Sequence, residues 1–106
     1  MLDRDTVTAL AEKAGGAVYI FEEDAFVQNY RMLIGAFCTL YPSYRLSYSY
    51  KTNYTPYICR IVKELGGYAE VVSDMEYELA RKLGYSSDKI VYNGPAKGAA
   101  LEEHVL

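Results

Sequence analysis

The chain has 106 residues, a formal net charge of -3 and 51% hydrophobic residues, a composition typical of one folded, mildly acidic segment. Its 11 Lys and Arg residues are scattered, which argues against a nucleic-acid partner because phosphate backbones need a clustered basic surface. The N-terminus MLDRD is charged, and no apolar run approaches the ~20 residues that cross a bilayer. We therefore expect a cytoplasmic protein with neither a secretory signal nor a membrane partner.

The two cysteines, Cys38 and Cys59, fall inside predicted helices. Their spacing is not that of metal ligands, and reduced thiols are the rule inside cells. We expect buried free thiols, no disulfide and no metal site.

The first part of the chain reads as a helix, a strand and a long helix. Apolar spacing predicts a helix over residues 4–13, which Gly15 and Gly16 close, and a strand over residues 17–21. A long helix is predicted over residues 24–41, ended by Pro42. Its apolar residues recur at helical spacing and are predicted to pack in the core. They are Phe26, Tyr30, Leu33, Ile34, Phe37 and Tyr41.

The segment YRLSYSYK (residues 44–51) alternates bulky residues with small or charged ones. Alternation with a period of two predicts a strand with one bulky face and one polar face. In a barrel of parallel strands the bulky face packs on the surrounding helices and the polar face looks inward. Lys51 would then lie at the C-terminal mouth, where barrel enzymes carry their chemistry. An ordinary lysine that ends a strand in solvent is the alternative.

Two strand-to-helix units follow Lys51. Thr55 is a candidate N-cap with Pro56 at the first helical position, and this helix ends at Gly66.

The second unit begins with a buried strand over residues 69–72. Ser73 and Glu76 have the spacing of a capping box, and Gly84 closes the helix that they begin. Residues 89–92 start the next strand.

Strands that alternate with helices through short connections predict an α/β fold with parallel strands and right-handed crossovers. A closed eight-stranded (β/α)8 barrel takes about 250 residues. This chain supplies three barrel strands and a last predicted helix over residues 98–106. We expect the N-terminal part of a TIM-like barrel, incomplete here, with residues 1–43 leading into it and residues 44–106 forming the first three βα units.

Three ordered blocks carry a resemblance to a known family. They are YSYKTN (residues 48–53), GGYAEVVSDME (residues 66–76) and IVYNGPAK (residues 90–97). These blocks resemble the pyridoxal-phosphate-dependent decarboxylases that act on diaminopimelate, ornithine and arginine. The resemblance implies a lyase that uses pyridoxal 5'-phosphate, with Lys51 as the catalytic residue that forms the Schiff base. It also implies a homodimer, because the active sites of this family lie between two subunits.

Further site residues follow from the same resemblance. Glu70 stands where the family usually carries an aspartate, so it is expected to pair with Lys51 or line the cofactor site. The alternative is that it caps the strand or pairs with another basic residue. Ser73 lies in the matching cofactor-binding segment, although helix capping alone explains it. Lys97 is a candidate at the rim of the site, equally well explained as a solvated lysine. His104 is expected to be an ordinary surface residue.

Diaminopimelate is the leading substrate, because EVVS (residues 70–73) and NGP (residues 93–95) look closer to that branch. Ornithine, arginine, lysine or a carboxylated polyamine remain open, as does a non-catalytic homologue that pairs with a decarboxylase subunit. An amino-acid racemase is a third alternative. The family's phosphate-binding loop and partner-subunit groups come from later barrel segments, so these 106 residues alone are expected to be inactive.

Overall fold

A computed structural model describes residues 2–95 together with Gly98, Leu101 and His104. Three parallel strands form one open sheet in the order β1-β2-β3, so strands consecutive in the chain are neighbours. The elements in chain order are α1 Arg4–Lys13, α2 Glu23–Cys38, β1 Ser47–Ser49, α3 Pro56–Glu64, β2 Tyr68–Val71, α4 Asp74–Lys82, a 3-10 turn Ser87–Lys89 and β3 Ile90–Tyr92. The predicted α/β class with parallel strands is confirmed, and the open sheet is consistent with part of a barrel.

The core lies between the sheet and the helices α3 and α4. Residues of β2 alternate between half-buried and buried, so one face of the sheet packs on the helices and the other remains open. The buried cluster contains Tyr50, Cys59, Ala69, Val71, Tyr77, Ala80, Tyr85, Ile90 and Tyr92. Cys59 is a buried free thiol, as expected, while Cys38 is half-buried.

The ends of α3 and α4 form as the sequence predicts. Gly66 and Gly84 adopt φ values of 85° and 88°, the left-handed conformation that closes a helix and suits glycine. Pro56 occupies the first turn of α3, but the Thr55 side chain makes no capping bond. The Asn53 side chain accepts a bond from the Thr55 N–H at 3.0 Å instead.

The N-terminal part differs from the prediction in two places. Residues 17–21 form no strand in the described part of the chain, because no other strand lies beside them to complete a hydrogen-bonded ladder. The apolar stripe of α2 is also less buried than expected. Tyr30 is buried, whereas Leu33 and Phe37 are each 42% exposed. The prediction that the whole stripe is core was wrong, since few other side chains cover it.

The C-terminal predictions fall partly beyond the described residues. Lys97 and most of the helix predicted over residues 98–106 lie outside them. His104 is described, and it is not the surface residue that we expected. Its ring packs edge-on against Tyr77 at 5.6 Å between centroids and lies 6.1 Å from Tyr92.

No helix in the described ranges is long and apolar enough to span a membrane.

Candidate active site

Lys51 lies at the carboxyl edge of the sheet, in a turn directly after β1. The Tyr50 side chain is fully buried, and its backbone N–H donates to the Glu70 carbonyl at 2.9 Å. Thr52 closes the turn by donating to the Ser49 carbonyl from both its N–H, at 3.3 Å, and its hydroxyl, at 2.8 Å. The strand is thus shorter than the alternation predicted, and Lys51 is exposed beside a buried anchor.

Tyr50 and Cys59, a residue of α3, belong to the same buried cluster on the helix side of the sheet. Burial raises the pKa of the Tyr50 hydroxyl well above its usual range, and the neighbouring Cys59 adds to this effect. Burial likewise raises the pKa of the Cys59 thiol. A thiol kept in its neutral form is a poor nucleophile, so Cys59 packs rather than reacts, and Lys51 is the exposed amine at this point of the chain.

Glu70 occupies the middle strand on the open face of the sheet. It pairs with Ser49 of β1 and Val91 of β3 in the register, and it is half-buried between buried neighbours at positions 69 and 71. Its carboxylate accepts a hydrogen bond from the Asn93 side-chain amide at 3.2 Å. The sheet brings Glu70 and Lys51 to the same edge, but among the described residues no ion pair joins them.

Ser73 caps α4, which begins directly after β2. Its hydroxyl accepts from the Glu76 N–H at 3.3 Å, and the Glu76 carboxylate accepts from the Val72 N–H at 2.8 Å. Glu76 is only 5% exposed. The carboxylate therefore reaches one residue before the N-cap rather than the N-cap itself, and both side chains hold the β2–α4 turn at the sheet edge.

Asn93 is the site residue that the sequence analysis considered only as part of the segment NGP (residues 93–95). It follows β3 as Lys51 follows β1, and its N–H donates to the Val71 carbonyl at 2.8 Å. The buried Tyr92 before it donates its hydroxyl to Asp74 at 2.6 Å. Burial, followed by this bond, raises the pKa of Tyr92. A polar residue at a strand end was the available signal, but only the strand register shows that Asn93 reaches Glu70.

Lys51, Glu70 and Asn93 thus lie at or near the carboxyl ends of three neighbouring parallel strands, and a hydrogen bond joins Glu70 to Asn93. This is the edge at which parallel α/β proteins bind ligands and barrel enzymes carry their catalytic groups. The Lys51 side chain is exposed at this edge. The edge of the sheet that carries the exposed Lys51 is therefore the candidate site.

Comparison with known proteins identifies the class. Residues 29–105 match the family described as pyridoxal-dependent decarboxylase, pyridoxal binding domain. The chain belongs to this family, whose cofactor is pyridoxal phosphate.

Curated relatives agree with the family match. The chain is 36% identical over 92 residues to diaminopimelate decarboxylase of Methanocaldococcus jannaschii, covering 83% of this chain and 21% of that protein. It is 30% identical over 88 residues to the Aquifex aeolicus enzyme of the same name, covering 83% and 20%. An L-glutamyl-[BtrI acyl-carrier protein] decarboxylase of Niallia circulans is 29% identical over 96 residues, covering 91% and 22%.

The chain thus spans about a fifth of the length of these curated relatives. No solved structure matches it.

Proposed function

We propose that this chain is the lysine-bearing segment of a pyridoxal-phosphate-dependent amino-acid decarboxylase, with Lys51 as its catalytic residue. The single observation that carries the proposal is the position of Lys51. It is exposed at the carboxyl edge of the sheet, next to the buried Tyr50, and lies inside the matched pyridoxal-binding domain.

The residues at this edge fit the cofactor. When bound, pyridoxal phosphate supplies an aldehyde for an amine and a conjugated ring that accepts charge from the substrate carbon as carbon dioxide leaves. Lys51 Nζ is the group that would hold the aldehyde carbon, because only an amine condenses with it reversibly. The open face on which Glu70 lies would accommodate the ring.

Each side chain has a task that its position supports. Lys51 Nζ would hold the cofactor, because a primary amine is the group that binds an aldehyde covalently and reversibly. The Glu70 carboxylate, on the neighbouring strand β2, would supply negative charge at the same edge of the sheet. Ser73 keeps α4 in place, so that the N-terminal end of this helix remains at the same edge and its backbone dipole favours an anionic group there.

Diaminopimelate is the proposed substrate, because several of the similar proteins are named as diaminopimelate decarboxylases. In this proposal residues 1–43 lead into the barrel, residues 44–106 form its first three βα units, and the working enzyme is a cytoplasmic homodimer. Ornithine, arginine and carboxylated polyamines are the substrates to compare. Carbon dioxide release from each candidate, measured at equal concentration, ranks them.

The direct test compares Lys51→Ala with Lys89→Ala, a matched change at another exposed lysine, which lies directly before β3. The protein, in the full length that its gene encodes, is mixed with pyridoxal phosphate, reduced with borohydride and mapped by mass spectrometry. We expect the reduced cofactor on Lys51 in the unaltered protein and in Lys89→Ala, and no label at position 51 in Lys51→Ala. Carbon dioxide release should fall by about 10³-fold or more in Lys51→Ala, the scale expected when a covalent catalyst is removed. Normal turnover in Lys51→Ala would contradict the proposal.

A further inference from the structure

We infer that Asn93 is a positioning residue that orients the Glu70 carboxylate at the carboxyl edge of the sheet, where Lys51 lies. The inference rests on the proposed function and adds a residue to it. The Asn93 side-chain amide donates to Glu70 Oε1 at 3.2 Å, across the boundary between the third and second strands. A donor directly after β3 thereby holds the Glu70 carboxylate of β2.

Asn93 is itself held in place on both sides. Its N–H continues the parallel ladder by donating to the Val71 carbonyl. The buried Tyr92 before it is tied to Asp74 at 2.6 Å. Gly94 after it packs so closely that an added Cβ would lie 2.9 Å from the Val72 carbonyl oxygen. With position 92 directed into the core, alternation along the extended chain places Asn93 on the open face with Glu70.

Glu70 needs such a tether more than a shorter acid would. Glutamate has one more side-chain torsion than aspartate, so its carboxylate samples more positions unless a hydrogen bond fixes it. One oxygen is bonded to Asn93, and the other makes no hydrogen bond within the described residues. Because β2 lies between the strand that precedes Lys51 and the strand that precedes Asn93, a tether from the Asn93 side leaves the second oxygen for the Lys51 side.

Asparagine also suits this task by its charge. An amide donates a hydrogen bond without neutralising the carboxylate, so the negative charge at this edge of the sheet is kept. A lysine at position 93 would compete with Lys51 for the acid, and an aspartate there would repel it. The pair therefore orients a charge rather than cancelling it.

The test is a double-mutant cycle on the protein in the full length that its gene encodes. Its variants are Asn93→Ala, Glu70→Ala and the combination of both. The first readout is the rate at which borohydride-trapped pyridoxal phosphate accumulates on Lys51, and the second is kcat and KM separately. We expect Asn93→Ala to slow attachment and lower kcat by about tenfold, the effect of one hydrogen bond. In the Glu70→Ala background the same change should have no further effect.

Asn93→Asp serves as the second variant, because it keeps the shape of the side chain and replaces the donor with a negative charge. We expect it to reduce attachment more than Asn93→Ala does, since two carboxylates at this distance repel. Asn29→Ala, at an exposed position of α2, is the matched control and should leave both readouts unchanged. If Asn93→Ala does not fold, Asn93→Asp compared in the Glu70→Ala background carries the cycle.

Two outcomes overturn the inference. An Asn93→Ala effect of equal size with and without Glu70 would show that Asn93 does not act through this acid. Unchanged attachment and kcat in Asn93→Ala, alongside abolished labelling in Lys51→Ala, would refute the positioning role and leave the proposed function intact. Unchanged turnover in Lys51→Ala would instead refute the proposed function itself.

Discussion

The two halves of the chain carry similar apolar patterns but bury them very differently. Among the described residues before Tyr50, only Tyr30 is a buried hydrophobic residue. Helix α1 has no buried residue at all. By contrast, the nine-residue helix α3 buries four side chains, Ile58, Cys59, Ile61 and Val62.

The difference shows that periodicity predicts which face of a helix is apolar but not what covers it. In residues 44–95 the three strands supply a surface on which α3 and α4 pack. The helix α2 has its own apolar stripe, yet Met32 is 61% exposed and Phe37 42% exposed. Large exposed apolar patches mark surfaces that contact something else. We therefore expect changes in the sheet region to affect stability far more than matched changes in α1 and α2.

The largest contrast is expected for two tyrosines. Tyr50→Ala should destabilise the sheet region by about 3–5 kcal/mol, because it removes a fully buried aromatic side chain and leaves a cavity. Tyr41→Ala should change stability by about 0.5 kcal/mol or less, since Tyr41 is 65% exposed. Urea unfolding followed by circular dichroism measures both. Equal losses for the two variants would contradict the division into a buried and an uncovered half.

Two glycines sharpen the comparison because they should respond in opposite directions. Gly94→Ala places a Cβ 2.9 Å from the Val72 carbonyl oxygen and should cost about 1–3 kcal/mol. Gly35→Ala meets nothing within 4 Å inside α2 and should stabilise that helix by about 1 kcal/mol. Thermal melts of the two variants give the sign directly. A stabilising Gly94→Ala would show that the turn after β3 is looser than this packing implies.

The two halves of the chain should also differ in how their tyrosines affect stability at alkaline pH. Burial raises the pKa of Tyr85 above its usual range. Because folding favours its neutral hydroxyl, Tyr85 contributes stability below its unfolded pKa of about 10. This contribution is lost as the pH rises toward the folded pKa. Tyr85→Phe should therefore shift alkaline unfolding to higher pH. Tyr19→Phe, at an exposed tyrosine before α2, is the control and should leave the pH midpoint of alkaline unfolding unchanged.

The smallest contrast concerns two helix caps. Ser73 accepts from the N–H of Glu76 at the start of α4, and Asp3 accepts from the N–H of Thr6 at the start of α1. Ser73→Ala should cost about 1 kcal/mol in global unfolding. Asp3→Ala should fray α1 without a comparable global effect, because that helix buries no residue. Amide hydrogen exchange separates local fraying from global unfolding.

Much of the sheet region could be predicted from sequence because its signals are local. Pro56, Gly66, Ser73 and Gly84 each act on the backbone beside them, and the helices begin and end where these residues indicate. The strand expected over residues 17–21 was wrong, because a strand depends on a neighbour that no local pattern reveals.

The candidate site likewise has one feature that the local sequence predicts and one that it does not. The position of Lys51 at a strand end follows from alternation along one segment. Asn93 and Glu70 are 23 positions apart in sequence. Their contact depends on the register of β2 and β3, which no local spacing pattern predicts. The roles proposed for Lys51, Glu70 and Ser73 stay predictions until the labelling experiment is done.

The buried Tyr50 gives the neighbouring Lys51 a mechanical dependence on the core. Tyr50, whose side chain is buried beneath the helices, is joined by one peptide bond to Lys51 at the edge of the sheet. Disorder in the core therefore displaces Lys51 as well. In the proposed function, a substitution under α3 should therefore slow cofactor attachment, because it increases the fraction of time in which the Tyr50 side chain is not packed in the core. Core variants of this protein can then resemble active-site variants in an activity assay, and hydrogen exchange at the Tyr50 amide would tell the two apart.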